Sequence, residues 1–118
     1  MAKTFVNRAK MTTATTGTGT ITLGSASSSY QTFAAAGAID GNDLRYLIQD
    51  GTAWEIGSGT YTAAGTTLSR ALESSSTGSL ISLSGSATVL VTAAADDMLT
   101  DPKQFGLNAV LRMGAYIN

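Results

Sequence analysis

The stretch from Asp50 to Ser69 limits what this chain can become more than any other. It holds the one tryptophan, Trp54, and four of the thirteen glycines: Gly51, Gly57, Gly59 and Gly65. Asp50-Gly51 is a hairpin signal, because glycine takes a positive φ in a tight turn at little steric cost. Trp54 and Ile56 then alternate with Glu55, the period of a strand with one buried face. This phase predicts Trp54 and Ile56 inside and Glu55 outside. The indole offers more apolar area than any other side chain here, so Trp54 is expected at the centre of a small β core. Gly57-Ser58-Gly59 is too short for a nucleotide-binding loop and opens onto no helix, so it reads as a bend or bulge within a strand.

The rest of the chain follows the same period. Ile21 and Leu23 share a face, and so do Leu44, Tyr46 and Ile48. Thr66 to Glu73 reads as one strand with Leu68 and Leu72 on a common face. Arg70 falls on that face too, so it either snorkels out at an edge or meets a partner. Ser79–Leu83 and Ala87–Thr92 read as a last hairpin, with Val89 and Val91 buried. The expected core is therefore Trp54, Ile56, Tyr46, Ile48, Leu68, Val89 and Val91. Tyr30 to Ala36 carries both helix and strand signals, and its surroundings favour a strand.

These signals predict an all-β chain: a single small β-sandwich of seven or eight short strands over residues 11–93. Residues 1–10 form a basic arm or first strand, and 94–118 a short C-terminal assembly segment. Asp101, Pro102 and Gln104 resemble a capping box, but Gly106 and Asn108 weaken a helix, so a short helix and an extended segment both fit.

At 118 residues the chain is one domain with one modest core. Only 13% of its residues are charged, about half the usual share, with a net charge of −1. Such a balance argues against nucleic acid or an anionic membrane as partner. No apolar run approaches the roughly 20 residues of a bilayer span, and the N-terminus lacks a signal-peptide pattern. The product is expected in a cytoplasm. Charge is uneven: Lys3, Arg8 and Lys10 make the start basic, and Asp96, Asp97 and Asp101 cluster near the other end. Phe105, Leu107, Val110, Leu111, Met113, Tyr116 and Ile117 would be costly to leave in water. Both ends are thus expected as assembly contacts.

Catalytic signals are few. The chain has no cysteine and no histidine, which removes thiolate chemistry, the commonest general base and the commonest metal ligands. Asp40, Asp43, Asp50 and Glu55 are the carboxylates open to acid–base work, but the three aspartates sit in turns, where Asp usually bonds its own backbone. The turn Asp40-Gly41-Asn42-Asp43 offers oxygen ligands without EF-hand spacing. Neither an enzyme nor a cofactor is expected. Tyr30 and Tyr61 remain as rings on which a sugar could stack.

Several segments in order resemble a small β module of tailed-bacteriophage virion proteins. They are the Thr/Gly-rich lead from Thr12 to Gly24, Tyr30 to Gly37, Tyr46 to Gly51, Trp54 to Thr62 with Gly65 to Arg70, and finally Ser82 to Gly85 with Val89 to Thr92. The resemblance covers about residues 3–93, and Trp-Glu-Ile-Gly-x-Gly-Thr-Tyr-Thr is its most specific run. It implies a non-enzymatic virion protein, assembled in the host cytoplasm as a homo-oligomer against other virion proteins. The expected position is the tail, neck or fibre base. A capsid decoration protein is the first alternative and a carbohydrate-binding module the second. The short segment after Thr92, in place of a fibre repeat or receptor-binding domain, is expected to mean an adaptor or decoration protein rather than a receptor-binding one.

Overall fold

A computed structural model describes residues 3–93. The expected assembly residues Phe105, Leu107, Val110, Leu111, Met113, Tyr116 and Ile117 lie outside the described residues. Nine strands occur among those described: β1 (Lys10–Thr13), β2 (Thr16–Gly17), β3 (Ile21–Ala26), β4 (Asp43–Asp50), β5 (Ala53–Thr62), β6 (Thr67–Leu68), β7 (Ala71–Ser75), β8 (Leu83–Ser84) and β9 (Ala87–Val91). One helix, α1 (Phe33–Ala36), stands among them. The chain is all-β, as the alternation predicts.

Strand pairing gives a closed barrel where a two-layer sandwich was expected. The hydrogen-bonded order β4-β9-β1-β3-β6-β5 returns to β4 through the antiparallel pairing of β4 with β5. β5 is long enough to join three neighbours. Ala53–Thr60 pairs with β4, Glu55–Ser58 with β7, and Tyr61–Thr62 with β6. Closure removes the open edges a sandwich would leave, and side chains fill so narrow an interior. β7 is added to this sheet outside the ring, and β2 and β8 form a separate two-stranded sheet. The expected last hairpin does not form, because β8 pairs with β2 while β9 lies between β1 and β4.

Tyr46, Ile48, Leu68 and Val89 are fully buried, and Val91 is nearly so. Ile56 is half-buried. Trp54 corrects the expectation: it lies on the outer face at 38% exposure, whereas Glu55 is at 0%. Glu55, Gly57, Gly59 and Tyr61 face inward instead, a reversal of the whole strand. The cause is the chain that follows. A Cβ on Gly57 would run into the carbonyl oxygen of Ala71, and one on Gly59 into that of Ser69. The backbone of Ser69–Ala71 thus crosses the inner side of β5, where only glycine leaves room. The single strand expected over Thr66–Glu73 is broken there into β6 and β7, and the break turns Arg70 inward.

The other correction is α1. Thr32 caps it, its hydroxyl accepting from the Ala35 N–H at 3.0 Å, and Gly37 ends it at φ +115. The local caps outweigh the strand-rich surroundings. Phe33 is driven inside, where its ring lies 6.2 Å from that of Tyr61 and its N–H reaches the Met11 sulfur at 3.3 Å.

Candidate functional site

The densest polar constellation in the barrel is Glu55 with Arg70 and Tyr46. The Arg70 and Glu55 side chains are 1% and 0% exposed. Arg70 Nη2 donates to Glu55 Oε1 at 2.5 Å and Nε to Oε2 at 3.2 Å, a two-point grip. Nη2 also donates to the Ile81 carbonyl at 2.7 Å, and Nη1 to those of Gly17 and Gly19 at 3.1 and 3.4 Å. All the guanidinium N–H groups are thereby matched to acceptors. Glu55 is equally occupied, since it also accepts the Tyr46 hydroxyl at 2.6 Å and the Ile81 N–H at 3.0 Å.

This clasp ties β4, β5, β2 and the loop before β8 into one unit. Burial is the largest influence on the Glu55 carboxyl and pushes its pKa up. The hydrogen bonds from Arg70, Tyr46 and the Ile81 N–H outweigh it and hold the group below the ordinary range. For Tyr46, burial and then its bond to the carboxylate raise the phenol far above its ordinary value. With its lone pairs spent on four donors, Glu55 has none left to take a substrate's proton. It works as a structural anchor.

These shifts set a pH profile. Because Glu55 is depressed, its contribution to stability is present above the ordinary carboxyl value of about 4.3 and is lost as pH falls through the native value. Because Tyr46 is raised, its contribution is present below about pH 10 and is lost as pH rises further. The thermal midpoint should therefore be flat in between and fall on both flanks, and Glu55→Gln should flatten the acid flank. An acid flank identical in the variant would contradict the assignment.

The remaining carboxylates among the described residues are also engaged in structure. Asp40 Oδ1 accepts the Ala63 N–H at 2.9 Å, and Asp43 pairs with Lys3 at 3.3 Å. Asp50 accepts from both the Ser84 N–H and hydroxyl, at 2.7 and 2.8 Å. In the turn Asp40-Gly41-Asn42-Asp43, the Asn42 side-chain oxygen accepts the Ile39 N–H at 2.8 Å. No group of three or more potential metal-ligating acidic residues occurs among the described residues. No helix among them is long and apolar enough to cross a membrane.

The expected assembly residues of the arm are held in place. Lys3 reaches Asp43, and Thr4 N–H donates to the Asp43 carbonyl at 2.7 Å, so the arm lies along β4. Arg8 and Lys10 stand over the Tyr30 ring, 4.1 and 5.0 Å from its centroid. Of the two rings considered for sugar stacking, Tyr61 is buried and Tyr30 is half-buried. A cavity of about 220 Å³ between Met11, Gly24, Thr32, Ala34, Tyr61 and Thr66 falls below the roughly 300–1,000 Å³ of small-molecule sites. What the exterior does offer is apolar: Phe5, Ile39, Trp54 and Leu72 are exposed by 48, 68, 38 and 38%.

Sequence reasoning missed the clasp, although two signals pointed to it. Arg70 shares parity with the buried Leu68, and Glu55 is in phase with two glycines, Gly57 and Gly59. A buried arginine needs a carboxylate, and the glycine face marks where another backbone approaches closely. Comparison with family models, curated proteins and solved structures yields no match to this chain.

Proposed function

We propose that this chain is a non-enzymatic structural protein of a tailed-bacteriophage virion, an adaptor at the tail, neck or fibre base that assembles as a symmetric oligomer. The observation that carries the reading is the outward placement of Trp54. A small, weakly charged barrel presents its one tryptophan on the outside, together with Phe5, Ile39 and Leu72, while its best-formed polar cluster is spent internally. Tryptophan is the side chain most enriched at the energetic centres of protein interfaces. The sequence resemblance to phage virion modules points the same way.

In this reading the barrel is a rigid spacer and the two ends of the chain make the joints. The arm, fixed along β4, and the apolar segment 94–118 contact neighbouring subunits. Deleting 94–118 should abolish incorporation into particles while leaving the barrel folded, as measured by immunoblotting of purified particles and by circular dichroism. Normal incorporation of the shortened chain would sink the assignment of that segment.

A further inference from the structure

The two buried tyrosines among the described residues, Tyr46 and Tyr61, differ in what their hydroxyls meet. Tyr46 donates to Glu55 at 2.6 Å. Tyr61 is only 3% exposed, yet its hydroxyl has no hydrogen-bond partner among the described residues. Its backbone is satisfied: the Gly41 N–H donates to the Tyr61 carbonyl at 2.7 Å, and the Tyr61 N–H donates to the Asn42 carbonyl at 2.9 Å. Only the hydroxyl is left over. An unmatched buried hydroxyl costs stability and calls for an explanation.

A cavity lies against this side chain. Tyr61 lines the space of about 220 Å³ together with Met11, Gly24, Thr32, Ala34 and Thr66. Met11 and Tyr61 are buried and form its floor, whereas Gly24 and Ala34 are exposed at its rim, with no side chain larger than a methyl group to close it. Thr66 is set in the wall by a turn in which Gly65 and Thr66 both take positive φ, +82 and +53. That conformation is uncommon for a β-branched residue, and the Leu23 N–H holds it by donating to the Thr66 carbonyl at 2.9 Å. None of these six lining side chains is charged. The space is too small for a drug-sized ligand, but it exceeds the roughly 150 Å³ of an apolar cavity that admits benzene.

We propose that this cavity binds a small uncharged molecule, with an apolar body of about one ring and a single oxygen that meets the Tyr61 hydroxyl. Met11 offers the ring a polarisable side chain that adapts to its shape. An ionic guest is disfavoured, because its charge would be buried without a partner. The site shares no residue with the Glu55–Arg70 clasp and stands independently of any role in a virion.

Titrating the full chain with phenol, benzene and benzoate, followed by NMR amide shifts, tests the proposal. Phenol should give saturable shifts at Met11, Gly24, Ala34, Tyr61 and Thr66, and benzoate should give none. Tyr61→Phe keeps the ring beside Phe33 and forfeits no hydrogen bond within the described fold, so the barrel should stay folded. In that variant phenol should bind about fivefold more weakly, the worth of one hydrogen bond, while benzene binds as before. Ala34→Leu, at the exposed rim, should exclude both molecules by filling the mouth. An absence of saturable shifts in the wild type would overturn the proposal, since the cavity would then hold water only. Equal phenol affinity in wild type and Tyr61→Phe, or saturable binding of benzoate, would overturn it as well. So would phenol binding that survives Ala34→Leu, because the phenol would then sit elsewhere.

Discussion

Replacing Arg70 with methionine should destabilise the barrel by about 3–5 kcal/mol, the usual cost of breaking a buried ion pair from one side. The methionine matches the stem but leaves the Glu55 carboxylate without its charge partner and the carbonyls of Gly17, Gly19 and Ile81 without donors. Those carbonyls belong to segments that pair only briefly, β2 and β8 being two residues each. Their attachment to the barrel leans on the guanidinium. Glu55→Gln/Arg70→Met should lose less than the sum of the two single changes, because it removes the orphaned charge together with its partner. Urea unfolding of the four proteins measures this. A single-variant loss under about 1 kcal/mol would mean that water or movement solvates the site, and the clasp would not be an anchor.

The second large effect is expected at Gly59. Alanine there places a Cβ against the carbonyl oxygen of Ser69, a backbone atom that cannot rotate away. The strand and the crossing segment must separate, which should cost about 3 kcal/mol or more, at the upper end of overpacking penalties. Gly65→Ala makes a useful contrast. Its Cβ would meet only the Thr67 methyl at 3.8 Å, so strain from φ +82 is the main penalty, about 1–2 kcal/mol. If Gly59→Ala were no worse than Gly65→Ala by thermal or urea unfolding, the close crossing of Ser69–Ala71 over β5 would be refuted.

Much of the fold was legible because alternation reports on burial directly. Leu44, Tyr46 and Ile48 share a face in the sequence and line the interior together. The Asp50-Gly51 turn appears as the link between β4 and β5, with Gly51 at φ +63. Closure was not legible, because it depends on β5 pairing at its far end with β6 and on β9 lying between β1 and β4, contacts that no local pattern encodes. The phase of β5 failed for a sharper reason. Ranking by apolar area puts Trp54 inside, but the inner face must also admit the Ser69–Ala71 backbone, and only the Glu55/Gly57/Gly59 side can. Arg70 then neutralises the glutamate that this choice buries. Two residues judged separately, a strand carboxylate and an ambiguous arginine, were one feature.

The same inversion carries the functional reading, since the tryptophan that does not build the core is free to build an interface. The most direct test is the copy number of this chain in purified particles, measured against the major coat protein by quantitative mass spectrometry. The adaptor account predicts a small, fixed number per particle, far below the coat protein. A number comparable to the coat protein would instead place it over the shell as a decoration protein, and its absence from particles would contradict the virion reading altogether.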